Sequence, residues 1–158
     1  MNVIDLKSLY ETDNLEWLKS TIELLKNKQF NALDLDNLIE ELEDLGSEKK
    51  NAVASLLYQT IKYLLLLQYW ISEYENNSAH WQEEIYAFRF QLSQRMTTNL
   101  RNYLKQELEH IYNQALKAVK AKTKNQVQFP LECPYTLDEL LNEDWFPNQS
   151  DNKKEELD

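Results

Sequence analysis

The chain has 158 residues, 42% of them hydrophobic, which is the length of one domain with enough apolar material for a real core. A single glycine and three prolines leave little for hairpins or glycine-rich phosphate loops, so the class is all-α. A net charge of -10 speaks against a surface that binds nucleic acid directly, and one cysteine, Cys133, excludes an intramolecular disulfide and a cysteine-only metal site.

Residues 1–12 read as a docked arm whose Leu6, Leu9 and Tyr10 cover a core edge. The opening MNVIDLKSLYETD has no basic region followed by an apolar one, so no signal peptide is expected and the cytoplasm is the default location. Asp13 with Glu16 three residues on resembles a capping box and opens a helix over about 14–28. Its stripe is Leu15, Leu18, Ile22 and Leu25, with Trp17 and Leu24 beside it. After a turn holding Phe30 and Leu33, Asp34 is placed to cap a helix whose apolar side is Leu35, Leu38, Ile39, Leu42 and Leu45. The other side carries Asp36, Glu40, Glu41, Glu43 and Asp44 with no basic residue among them. A charge run is ordinarily a solvated face; the functional reading is a docking face for a basic partner protein, or carboxylates that hold a metal.

Gly46 and Ser47 read as the end of that helix and the cap of the next, a central hydrophobic helix over about 47–73. Val53, Leu56, Leu57, Ile61, Leu64, Leu65 and Tyr69 recur at spacings of three and four, and beyond Lys62 the opposite face turns apolar too, with Tyr63, Leu66, Leu67, Trp70 and Ile71. The uninterrupted run is about half of the ~20 residues a membrane span needs, and basic flanking loops are missing, so no membrane association is expected. The polar EYENNS, 73–78, reads as a break. The helix after it keeps Trp81, Ile85, Phe88, Leu92 and Met96 on one line, with Arg89 as a charge on an otherwise apolar element. Thr98 caps a last long helix with the stripe Leu100, Tyr103, Leu104, Leu108, Ile111, Ala115 and Val119. Lysines 117, 120, 122 and 124 at its end suit the helix dipole.

Two X-Pro steps, at Pro130 and Pro134, make the following stretch extended, and Thr136 with Glu139 forms a second capping box on a short helix. Leu137, Leu140 and Leu141 point one way, Trp145 and Phe146 follow, and so small an element must dock back on the bundle. The expected architecture is one helical domain over 1–147, about five helices around the central one plus a C-terminal docking helix, with a disordered acidic tail over 148–158.

YETDNLEWL, LDLDNLIEELEDLG, the YLLLLQY core with Trp81 and Arg89 downstream, and the closing FPLECPYTLDELLNEDWFP together resemble the domain-of-unknown-function family twenty-nine, common in cyanobacteria. The resemblance runs from about Leu9 to Pro147, and FP-x-x-CPYTL-x-x-LL is its most specific part. It implies an all-α bundle in a bacterial cytoplasm and lends no activity, cofactor or catalytic residue. Ser47-Glu48 and Thr97-Thr98-Asn99 depart from the family's usual residues at caps and turns.

Candidate chemistry is sparse. Glu107 and His110 form one Glu-x-x-His, the spacing used in di-metal bundles, but the second copy and the further inward carboxylates are missing. His80, Trp81 and Arg89 mark a candidate pocket, with Tyr63, Tyr69, Trp70 and Tyr74 as wall material and the acidic 40–44 residues as partners for a buried guanidinium. Cys133 lacks the basic surroundings that make a nucleophile. The reading is a non-enzymatic interaction module, without cofactor, presenting Asp36, Glu40, Glu41, Glu43 and Asp44, with Trp145 and Phe146, to a basic protein partner, as monomer or homodimer. The alternative is a metal-dependent enzyme or small-ligand binder with carboxylate and histidine side chains between helices.

Overall fold

Gly46 lies inside a helix rather than at the end of one. The computed structural model describes residues 5–148 and contains α1 (Leu6–Thr12), α2 (Asn14–Lys26), a 3₁₀ turn (Phe30–Ala32), α3 (Leu35–Tyr69), a second 3₁₀ turn (Ile71–Glu73), α4 (Tyr74–Arg95), α5 (Thr98–Lys122) and α6 (Leu137–Leu141). No strand occurs among the described residues, and the architecture is the expected all-α bundle. The expected central helix over 47–73 is instead the second half of the 35-residue α3. Strong helix formers flank Gly46 on both sides and no proline follows, so its cost of about 1 kcal/mol is absorbed without a break. Residues 1–4 of the expected arm, and all of the expected tail except Asn148, lie outside the described residues.

The chain divides into two compact units, one ending at Glu48 and the other beginning at Lys49. In the first, the Asp13 carboxylate accepts from the Glu16 N–H at 3.1 Å and starts α2. That helix ends in a 6→1, 5→2 pattern: Gln29 N–H donates to the Leu24 carbonyl and Lys28 N–H to that of Leu25, with Lys28 left-handed at φ 56. Among the described residues of this unit Trp17 is the one buried hydrophobic side chain. Tyr10 meets it edge-on at 5.0 Å, and its indole N–H donates to Asp34 Oδ2 at 3.3 Å. Asn37 Nδ2 donates to the same oxygen at 2.6 Å, so the Asp34 carboxylate holds Trp17 and Asn37.

The leucine stripes expected as core in this unit are exposed. Leu15, Leu18, Ile22 and Leu25 of α2, and Leu35, Ile39, Leu42 and Leu45 of α3, are between 37% and 63% accessible, and Leu38 is half-buried. Trp17 and Thr21, on a different face of α2, take the inward position. Periodicity identifies an apolar face but not which face has neighbours.

In the second unit the expected stripes do form the core. Val53, Leu57, Ile61, Leu64 and Leu65 of α3, Trp81, Ile85 and Leu92 of α4, and Leu100, Leu104, Ile111, Ala115 and Val119 of α5 are buried in one cluster. Leu66 and Leu67 extend it to the other face of α3, as an all-round apolar helix requires. Two boundaries differ from expectation. The chain turns at Trp70 to Glu73, and EYENNS opens α4 rather than separating helices; Asn77 Nδ2 donates to the Glu73 carbonyl and carboxylate there. Thr97, not Thr98, caps α5, its hydroxyl accepting from the Leu100 N–H at 3.2 Å, because the Thr97 backbone is extended while Thr98 is already helical.

Candidate functional site

The acidic residues of α3 are placed as the sequence implies, on one helix. Asp36, Glu40, Glu43 and Asp44 are exposed; Glu41 is half-buried and accepts from the Tyr10 hydroxyl at 2.7 Å. That bond, reinforced by burial and by the charges of Glu41, Glu40 and Asp44, pushes the Tyr10 phenol up to about 12. One of the five carboxylates therefore ties α1 to α3, and the other four face solvent.

The Arg89 side chain is engaged by the chain itself. Arg89 is buried, and its guanidinium donates to three main-chain carbonyls of the C-terminal segment: Nε to Leu140 at 2.9 Å, Nη1 to Trp145 at 2.5 Å and Nη2 to Glu139 at 3.0 Å. The Phe146 ring lies 5.4 Å from it. No acidic residue of the 40–44 run is its partner, contrary to expectation; a planar fork of donors suits the carbonyls left open at the end of a short helix. Burial lowers its pKa to about 10, which leaves it charged at neutral pH. Trp81 is buried and stacked on Trp70 at 6.0 Å, while His80 is exposed and meets Tyr63 edge-on at 6.3 Å. Two surface concavities lie elsewhere, one at Lys28 to Ala32 and one lined by Lys120, Asn125, Val127, Gln128, Phe129 and Leu131.

Trp145 and Phe146 are half-buried and engaged within the second unit, Trp145 edge-on to Tyr135 at 5.7 Å and Phe146 edge-on to Tyr86 at 5.3 Å. The segment before them is held as firmly. Tyr112 donates its hydroxyl to the Pro130 carbonyl, and buried Tyr135 donates to Gln68 Oε1 at 2.7 Å. The Thr136 hydroxyl accepts from the Glu139 N–H and the Glu139 carboxylate from the Thr136 N–H, a complete capping box. The Cys133 thiol donates to the Tyr135 carbonyl at 3.3 Å, and burial pushes it up to about 11, the opposite of what a nucleophile needs. Burial likewise raises Tyr135 and Tyr112.

Glu107 is half-buried and His110 exposed on α5; among the described residues no three His, Cys, Asp or Glu side chains converge on a point that could hold a metal ion. Nor, among them, is any helix long and apolar enough to cross a membrane.

The family model described as "Domain of unknown function DUF29" matches residues 9–146. The chain belongs to DUF29. No curated protein and no solved structure matches it. Membership therefore brings no activity, and the residues must carry the reading. In this DUF29 chain the closing FP-x-x-CPYTL motif spends its polar groups on fixing the C-terminal segment: the Pro130 carbonyl, the Cys133 thiol, the Tyr135 hydroxyl and the Thr136 cap all have structural partners. What the sequence reading missed is the exposure of the two leucine stripes. The one signal for it is that Trp17 lies off the α2 stripe, with small polar neighbours, Ser20 and Thr21, at three and four residues.

Proposed function

We propose that this DUF29 chain is a non-enzymatic, cytoplasmic interaction module that binds another protein through its N-terminal unit. The observation that supports this is the pair of exposed aliphatic stripes on α2 and α3 beside a run of solvent-facing carboxylates. Monomeric proteins rarely leave apolar patches beyond a few hundred Å² uncovered. A partner that fits brings apolar side chains to Leu35, Ile39, Leu42 and Leu45 and basic ones to Asp36 and Glu43, with Glu40 further round the helix. Asp44, further round the helix, adds to the field that draws such a partner in. Trp145 and Phe146 are not offered to it, because they pack within the second unit.

A photo-crosslinking amino acid placed at Leu42 of the full chain, expressed in bacteria, tests the reading against the same group at exposed Gln114 of α5. Adducts are expected from position 42 and not from 114. The absence of any adduct at 42 refutes the proposal.

A further inference from the structure

We infer that the partner is a second copy of this chain, with α2 of each copy laid antiparallel on α3 of the other. The inference rests on the interaction reading above and names its partner.

The two stripes match in length and in charge. Each spans ten residue steps, Leu15 to Leu25 and Leu35 to Leu45, or about 15 Å of helix. The α2 stripe is edged by Lys19 and Lys26, one turn after Leu15 and Ile22; the α3 stripe is edged by Asp36 and Glu43, which flank Ile39 at three and four residues. All four edge residues are exposed, and both pairs are seven residues apart. The helical period of 100° per residue puts the lysines and the carboxylates on the same rotational side of their stripes. In antiparallel helix pairs like sides meet, so facing the stripes brings Lys19 near Glu43 and Lys26 near Asp36, each within about two residues of level. One chain thus carries both halves of a complementary surface, and a two-fold axis uses each half twice, as an isologous interface requires.

The area suits a dimer. Eight aliphatic residues about half exposed amount to roughly 250–500 Å² of apolar surface per chain. At the apolar fraction of ordinary interfaces that corresponds to about 400–800 Å² in all, close to the ~800 Å² per partner of a standard specific contact. Gly46 follows Leu42 by one turn, and among the described residues nothing beyond its own chain neighbours and helix backbone lies within 4 Å of where its side chain would be. The α3 stripe therefore ends where a second helix can come closest.

Sedimentation equilibrium of the full chain is expected to show a concentration-dependent species of twice 18.9 kDa. The double variants K19E/K26E and D36K/E43K each place like charges across the interface. Each alone should dissociate at least about tenfold more readily, since four edge contacts are reversed at a few tenths of a kcal/mol apiece. Mixed one to one, the two variants should re-form a dimer. All four positions are exposed, so circular dichroism should show unchanged folding. A wild-type chain monomeric at high micromolar concentration overturns the inference, as do variants that self-associate like wild type or fail to rescue each other. If the crosslinker at position 42 captures a different protein while the chain stays monomeric, the interaction reading stands and only the second copy falls.

Discussion

Replacing Arg89 by Met should release the C-terminal segment. The side chain donates three charge-assisted hydrogen bonds, to Glu139, Leu140 and Trp145. Leu140 is fully buried, so water cannot replace the guanidinium at its carbonyl, and a buried orphan of this kind costs about 1–3 kcal/mol. Glu139 and Trp145 are half-exposed and can rehydrate, which reduces their share to about 1 kcal/mol each. Removing a charge whose burial is itself unfavourable returns part of this, as the lowered pKa of about 10 indicates. The net loss is about 3 kcal/mol. Urea unfolding followed by tryptophan fluorescence gives the total, and amide exchange over residues 137–146 shows whether that segment opens before the rest. Arg89→Lys, with three donors on a point charge, should recover only part of the loss. A change under about 1 kcal/mol with unaltered protection of α6 would refute the clamp.

Gly46→Ala should raise stability by about 1 kcal/mol in dilute solution, because the glycine sits inside α3 with open space around a new methyl group; a lower melting temperature would show that α3 needs a break there. Tyr10 holds its proton more tightly folded than unfolded, up to about 12 against 10.0. The stability linked to it is therefore complete below pH 10 and lost as the pH rises from 10 to 12. NMR titration of the Tyr10 ring should show the late transition, and Glu41→Gln should move it back toward 10. Cys133, raised from 9.0 to about 11, should react with a disulfide reagent at pH 8 about 100-fold more slowly than in unfolded chain. Equal rates would mean that the C-terminal segment is not packed as described.

The second unit was legible because its stripes are thick and mutually supporting: α3 beyond Lys62 is apolar all round, and that pattern demands neighbours on every side. Boundaries were less legible where a local signal competed with a longer one. Gly46 carries a helix-stop signal, yet LIEELED before it and SEKKNAVASLL after it both favour helix, and continuity won. Asn76, Asn77 and Ser78 look like a turn, but Trp70 and Ile71 already make it. Arg89 was recognisable as a buried charge; its partners were not, since main-chain carbonyls 50 or more residues away leave no residue-type signature. Glu107 and His110 show a simpler limit, because matching spacing along one helix supplies two side chains and a metal site needs a third from another element.

The unit that exposes its stripes is also the one with least to hold it together. Ordering a residue costs roughly 1–2 kcal/mol of backbone entropy, and among the described residues up to Glu48 only Trp17 is a buried hydrophobic. Covering eight half-exposed aliphatic side chains would add about 6–12 kcal/mol gross, several times what Trp17 supplies. Partner binding should therefore protect α2 far more than α5, whose Leu104, Tyr112 and Val119 are already enclosed. Amide exchange at nanomolar and at high micromolar chain concentration reads this directly: protection over residues 14–26 should rise with concentration, and over residues 104–119 it should not. Amides of α2 that are as slow as those of α5 in the most dilute sample would show that Trp17 and the Asp34 carboxylate suffice on their own, and that the stripes have no covering to gain.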